Sequence, residues 1–500
     1  MFVRKLSGLN SATKELNFSS RRFAAFASAV RRTPLIIHEP EYPLIKTPIP
    51  GPISKKLKSE LDKIQNATGV CYFVDPEKCA GNYVVDADGN AILDAYMMVA
   101  SLPLGYNHPD LIETCKQPHS LSIAVSRPAL GFYPTIDYVG HLNNALLSVA
   151  PKGHRQVQTM MCGATANENA LKVAMIMYQT RKRGGRSPTD AELKAAILNQ
   201  PPGCPNLSVL SFENAFHGRM FACLSASRSK AIHKVDLPAF DWPMAPFPRY
   251  EDPVDSNSEK NRAEDDRCLA EVERLIKKWA EKDKPVAAII VEPIQAEGGD
   301  NYGSAEFFRK LQTLVKKHGC AFIVDEVQTG CGATGRMWAH EEWNLERPPD
   351  MVTFSKKMLL GGFYYTDEYR IKEPYRIFNT WMGDPIKLAL LETVIKTIRR
   401  DDLLGLNRES GKVLLGGLKD LERKFPNAIS NSRGKGTFVA FDVNSADKRK
   451  HILDELLKKG IQLGYCGERT VRFRPALIFQ PTHAKLCLEK IEDVLQEMIF

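Results

Sequence analysis

The chain has 500 residues, 43% of them hydrophobic, which is enough to bury a large core and excludes a disordered or fibrous role. Its formal charge of +9 is misleading, because Arg4, Lys5, Lys14, Arg21, Arg22, Arg31 and Arg32 against Glu15 place two thirds of it before residue 38. The remainder is close to balance, so no nucleic-acid surface is expected. The cysteine count is odd, at 11, without a Cys-x-x-Cys pair, which argues against both a disulfide framework and a zinc knuckle.

In chain order, residues 1–33 are Arg- and Ser-rich, hold a single acid and include Phe23-Ala24-Ala25-Phe26-Ala27. That composition suits a mitochondrial targeting peptide leading to the matrix, with a disordered basic tail as the alternative. No run is long enough for a membrane span, so no membrane partner is expected. After a proline-rich entry, Tyr83 to Asn90 reads as a strand with an Asp-Gly turn, followed by another apolar strand.

From about residue 155, strands alternate with helices. Strands are expected at Val157–Met161, Val209–Phe212, Val286–Val291, Ala321–Val324 and Met351–Phe354, with helices from Asn167 to about Arg181 and from Ala305 to His318. Such alternation implies an α/β fold with a parallel sheet covered by helices. Gly361-Gly362 reads as a turn, and Pro201–Pro205 and Glu251–Asp266 as surface insertions. Beyond Pro385, long helices precede strands at Thr437–Val443, Ile461–Leu463 and Val471–Phe473 and a helix after Thr482, suggesting a second, α+β domain. The expected division is a segment 34–100, a large domain 101–385 and a small domain 386–500.

The chemistry gathers at strand ends. Asp325 follows an apolar run and Lys356 follows Thr353-Phe354-Ser355, so both leave the carboxyl ends of strands, where open α/β sheets place ligands. A lysine able to form a Schiff base and a carboxylate able to keep a pyridine nitrogen protonated are what pyridoxal phosphate chemistry needs. Cys162-Gly163-Ala164-Thr165-Ala166-Asn167 opens a helix whose free N–H groups could bind phosphate. Phe216-His217-Gly218-Arg219 offers an aromatic face and a guanidinium suited to a carboxylate. Arg472 and Arg474 share a strand face, and Glu297, after Glu292-Pro293-Ile294-Gln295, could neutralise Arg472 at rest. Taken singly, each has a bland reading as packing, loop or surface.

Together, Asp325-Glu326-Val327-Gln328-Thr329-Gly330, Asp350 to Lys356, Glu292-Pro293-Ile294-Gln295, Asn379-Thr380-Trp381 and Arg472-Phe473-Arg474-Pro475 resemble the class III, or ω-amino acid, aminotransferases. The runs Ser229 to Lys234, Phe240 to Pro248 and Arg376 to Pro385 resemble the branch acting on 4-aminobutyrate. The resemblance covers roughly residues 40–500. It implies a fold-type I enzyme with a seven-stranded sheet, a homodimer, and ping-pong transamination of 4-aminobutyrate with 2-oxoglutarate. Ornithine or β-alanine specificity is the alternative.

Carried over by position, the resemblance implies Lys356 as the Schiff-base lysine, with Lys357 its rival, and Asp325 beside the pyridine nitrogen. It implies Gln328 near the ring hydroxyl, Phe216 stacked on the ring, and Gly163, Ala164, Asn167 and Glu292 around the cofactor. Thr380 would reach the neighbouring subunit's phosphate. Val99, Arg219, Glu297, Phe378 and Arg472 would meet substrate. Thr165 stands where relatives carry a second cysteine associated with an iron-sulfur cluster, so no cluster is expected. A cofactor-binding protein without turnover would need Lys356 or Asp325 disabled, and a Rossmann dehydrogenase would need a Gly-x-Gly-x-x-Gly fingerprint that is missing.

Overall fold

The computed structural model describes residues 38–251 and 257–498; residues 1–33, expected to be a targeting peptide, lie outside them. Seven strands make the central sheet: β1 (Gln156–Met160), β2 (Ser208–Phe212), β3 (Met244–Ala245), β4 (Val286–Val291), β5 (Ala321–Asp325), β6 (Met351–Phe354) and β7 (Gly361–Tyr365). They lie in the order β1-β7-β6-β5-β4-β2-β3. β7 runs antiparallel to both its neighbours, and the remaining pairs are parallel.

The central strands are continuous apolar runs because helices cover both faces. Alternation along a strand splits each run between two cores. Ile289, Val291, Phe322, Val324 and Val352 face Phe307, Phe308 and Leu311 of the helix α3 (Ala305–Lys317). Ala288, Ile290, Ala321, Ile323 and Met351 face Ala166, Ala170, Val173 and Ala174 of α1 (Gly163–Lys182). The small alanine face lets α1 approach the sheet closely.

A smaller α+β domain holds an antiparallel sheet of β8 (Ile429–Lys435), β9 (Phe438–Val443), β10 (Gly464–Cys466) and β11 (Thr470–Phe473), ordered β8-β9-β11-β10. The helix Leu403–Lys424 and the last helix, Pro481–Glu497, share its core through Leu414, Leu418, Val439, Phe441, Ile491 and Val494. Among the described residues, no helix is long and apolar enough to cross a membrane. All eleven cysteines are free thiols.

Several expectations shift. α1 starts at Gly163, not Asn167, because Cys162 N–H donates to Thr165 Oγ1 at 2.9 Å and the Thr165 hydroxyl returns to the Cys162 carbonyl at 2.8 Å. Much of the charged run before Asp266 lies on α2 (Ser258–Glu281), where Asp265 is buried and accepts from Tyr250 Oη and Ser304 Oγ. Ile461–Gln462 joins the N-terminal hairpin, pairing parallel with Leu93-Asp94 rather than with the four-stranded sheet. The hairpin itself, Tyr83–Val85 with Ala91–Asp94, forms as expected.

Gly361-Gly362 is not a turn but the head of β7. A side chain at Gly361 would place Cβ 2.3 Å from the Cys162 carbonyl oxygen, and one at Gly362 would meet Phe354 at 2.4 Å. Glycine is needed here for close approach, not for a bend. Gly361→Ala is therefore expected to cost about 1–3 kcal/mol of stability through overpacking. Thermal unfolding reads this directly, and an unchanged midpoint would contradict the close contact.

Candidate active site

The parallel register sets Thr353 of β6 beside Asp325 of β5, so the chain leaving both strands enters the same space. Asp325 is buried, and its oxygens are claimed on both sides. Oδ2 accepts from Asn167 Nδ2 at 2.7 Å and from His217 Nδ1 at 2.8 Å, while Oδ1 accepts from the Val327 N–H at 3.0 Å. The Asn167 amide also donates to the His217 carbonyl at 2.9 Å, tying α1 to the loop after β2. The sequence alone assigns His217 no role, because Phe216 and Arg219 beside it carry the more obvious chemistry. Its signal was a histidine two residues from an arginine in a loop following a buried strand.

Lys356 follows β6 in the left-handed backbone region, φ 47°. Its Nζ donates to the Val99 carbonyl at 3.0 Å. Burial, reinforced by the positive charge of Arg472, brings its amine down to about 8. Lys357 turns the other way, into the core, where Nζ donates to the Pro475 carbonyl at 2.9 Å and burial brings its amine to about 7. The two lysines thus occupy different spaces, although they are neighbours in sequence. Cys331 is a buried thiol 3.4 Å from the Lys357 carbonyl, pushed up to about 12 by burial, whereas Cys162 is exposed.

Val99 lies in a turn where Met97, Met98, Val99 and Ala100 all have positive φ, from 44° to 66°. Asp94 holds that turn by accepting the N–H groups of Tyr96 and Met97 at 2.9 and 2.7 Å and the Tyr106 hydroxyl at 2.6 Å. Its burial pushes the Asp94 carboxyl above the usual range. Sequence periodicity carries no sign of this turn, because none of its four residues is glycine.

Arg472 on β11 is almost fully buried. Its Nη2 stands 2.6 Å from Glu297 Oε1 and donates to Tyr96 Oη at 3.0 Å. Burial works against the charge on Glu297, but Arg472 outweighs it and holds the carboxyl below its ordinary value. Arg474 pairs with buried Asp300 at 2.5 Å, and Gln328 Oε1 accepts from Arg474 Nε at 2.9 Å and Arg472 Nη1 at 3.4 Å. Glu292 accepts the N–H groups of Phe216 and Ala296, bracketing the Phe216 loop to the Glu297 loop. Burial, then the charge of Asp325, pushes the Glu292 carboxyl well up.

Arg219 is exposed, with its guanidinium 5.9 Å from the Phe216 ring and 3.3 Å from His233 Nε2. Gly163 and Ala164 open α1, whose first N–H groups have no intrahelical partner. Phe378 packs near Gly131 and Tyr375, and Thr380 is exposed. Among the described residues, no hydrogen bond, ion pair or ring contact joins either of them to Lys356. The neighbouring acid Glu326 belongs to the core, where it accepts from the His340 N–H and Nδ1 at 2.8 and 2.7 Å.

Residues 64–495 match the class-III aminotransferase family. This chain belongs to the class-III aminotransferases. It is 53% identical over 458 residues to a Caenorhabditis elegans protein named "Probable 4-aminobutyrate aminotransferase, mitochondrial", covering 92% of this chain and 95% of the relative. It is 51% identical to the Homo sapiens protein named "4-aminobutyrate aminotransferase, mitochondrial", covering 91% of each. Among solved structures, lysine aminotransferase from M. tuberculosis superposes with a TM-score of 0.79 at 25% identity, over 89% of this chain and 99% of that one.

The family depends on pyridoxal 5′-phosphate. The residues present fit that group: an amine of lowered basicity at Lys356, a buried carboxylate with fixed oxygens at Asp325, and a helix start at Gly163 for a phosphate. The Lys356 amine gains its neutral form as pH rises through about 8. Capture of pyridoxal phosphate by the apoenzyme, trapped with borohydride, is therefore expected to accelerate from pH 6.5 to 8.5 and then level. Lys356→Ala should abolish trapping. A rate independent of pH, or trapping that survives Lys356→Ala, would contradict the assignment of that amine.

Proposed function

We propose that this class-III aminotransferase transfers the amino group of 4-aminobutyrate to 2-oxoglutarate, giving succinate semialdehyde and glutamate in a ping-pong cycle. The observation that carries this reading is the unequal state of the two arginines. Arg472 is neutralised by Glu297, whereas Arg219 is exposed with a histidine rather than a carboxylate beside it. A substrate with one distant carboxylate needs one guanidinium, and a dicarboxylate needs two. In this reading Arg219 takes the distal carboxylate of either substrate. Glu297 masks Arg472 for 4-aminobutyrate and swings away for 2-oxoglutarate. The partly exposed setting of Glu297, against the almost fully buried Arg472, leaves the acid as the partner freer to move.

Bound pyridoxal phosphate supplies a carbonyl that takes up the amino group and a ring that accepts the electron pair left on the substrate carbon. Lys356 Nζ moves the proton from the carbon bearing the nitrogen, which requires the neutral amine that burial favours. Asp325, clasped by Asn167 and His217, offers an acceptor to the pyridine nitrogen. Phe216 would stack on the ring, Gly163 and Ala164 would hold the phosphate, Gln328 would neighbour the ring hydroxyl, and Asn167 and Glu292 would complete the cofactor's surroundings. Val99 lines the substrate channel.

The same reading includes a homodimer in which Thr380 reaches the phosphate of the partner's site, while Phe378 lines the substrate pocket with Val99. β-Alanine is a second substrate, and the chain divides into an N-terminal segment 34–100 packing with the small domain, a large domain 101–385 and the small domain 386–500. The location is the mitochondrial matrix, reached through residues 1–33. No iron-sulfur cluster is part of the enzyme, since the Thr165 side chain cannot provide a thiolate.

The test is spectroscopic. The visible band of the holoenzyme should be bleached by 4-aminobutyrate without keto acid and restored by 2-oxoglutarate. In Arg472→Ala the restoring half should slow by at least about tenfold, as expected for a lost charge-assisted bond of about 1.5–3 kcal/mol, while bleaching changes little. Equal losses in both halves would overturn the masking role of Glu297. A band untouched by 4-aminobutyrate but bleached by ornithine would overturn the substrate assignment.

A further inference from the structure

Outside the catalytic cleft, two histidines and a carboxylate converge on one point. His119 lies on the helix Pro118–Ser126, Asp137 precedes the helical turn Tyr138–His141, and His141 ends it. His119 Nε2 stands 2.6 Å and His141 Nε2 3.0 Å from the same atom, Asp137 Oδ2, and the three atoms lie within 4.8 Å of one another. Behind them, Glu392 on α4 (Pro385–Arg400) accepts from His141 Nδ1 at 2.7 Å. Glu392 is itself held by Lys396 at 2.6 Å and Asn144 at 3.3 Å. A carboxylate that keeps the proton on Nδ1 leaves the lone pair on Nε2, the arrangement that orients metal-binding histidines.

We propose that His119, Asp137 and His141 bind a divalent transition metal of the zinc type, with Glu392 orienting His141. At bonds of about 2.0–2.1 Å, the ligand atoms of a tetrahedral zinc site stand about 3.3 Å apart. From the observed 2.6 and 3.0 Å, the separations from Asp137 Oδ2 therefore need to open by about 0.7 Å for His119 and about 0.3 Å for His141. Two imidazoles with one carboxylate suit zinc, cobalt or nickel rather than magnesium or calcium, which take oxygen ligands. Three protein ligands leave a fourth position for water, and the half-exposed His119 side chain gives an entry path.

The ion ties Pro118–Ser126 to the turn after Asp137 and, through Glu392, to α4. That helix begins directly after the loop holding Phe378 and Thr380. No residue of the set takes part in the transamination described above, and the role is one of bracing rather than chemistry.

The holoenzyme, freed of metal by chelation, is titrated with zinc by calorimetry and with cobalt by visible absorption. One equivalent per chain is expected, with the absorption of tetrahedral cobalt. His119→Gln and His141→Gln should each abolish that absorption, and Glu392→Gln should weaken zinc binding about tenfold, as for other orienting carboxylates. The exposed thiols of Cys71, Cys115, Cys162 and Cys204 make the histidine variants decisive. Metal uptake equal in the parent and both variants, or no uptake at all, would overturn the site. The cluster would then be a protonated histidine bridging Asp137 and Glu392.

Discussion

A buried carboxylate at the end of a parallel strand is the interaction on which the rest of the site depends. Taking Asp325 out of water costs several kcal/mol unless its oxygens are hydrogen-bonded. Asn167, His217 and the Val327 N–H supply those bonds, and each comes from a different segment. Satisfying one acid therefore fixes where α1 begins, where the Phe216 loop passes and how the chain leaves β5. The register of Asp325 with Thr353 then delivers Lys356 to the same space.

The second constraint is the placement of two buried guanidiniums. Each must be neutralised. Arg474 and Asp300 form a wholly buried pair, a permanent tie between the small domain and the loop after β4. Arg472 has the more exposed partner, Glu297, at a loop rich in glycine. The two pairs thus differ in burial: Asp300 is sealed from water, and Glu297 is not. Gln328 links both arginines to the segment that follows Asp325.

Left-handed backbone gathers around Lys356. Lys356 and the four residues Met97–Ala100 occupy the left-handed region, which costs a non-glycine residue roughly 1–2 kcal/mol. Asp94 pins the turn from below and Lys356 Nζ meets its Val99 carbonyl from above. The turn thus presents a backbone acceptor and an exposed apolar side chain at the same point of the cleft.

Strand and helix periods, and residue types at strand ends, determined most of the large sheet and the pairing of Lys356 with Asp325 by themselves. Those signals are local: alternation of two or 3.6 residues, and chemistry placed where a strand stops. What only the tertiary structure decided is long-range. Gly361-Gly362 looks like a turn locally but lies in the sheet, where Cys162 and Phe354 leave no room for a side chain. Asp265, in a charged run, is buried because Tyr250 and Ser304 reach it from elsewhere in the chain. Asp325 and Glu326 look equivalent in sequence; one faces the site and the other His340, since adjacent residues at a strand end point to opposite sides. The same holds for Lys356 and Lys357. Which member of each pair meets the ligand is set by what packs behind it, and that partner lies tens to hundreds of residues away.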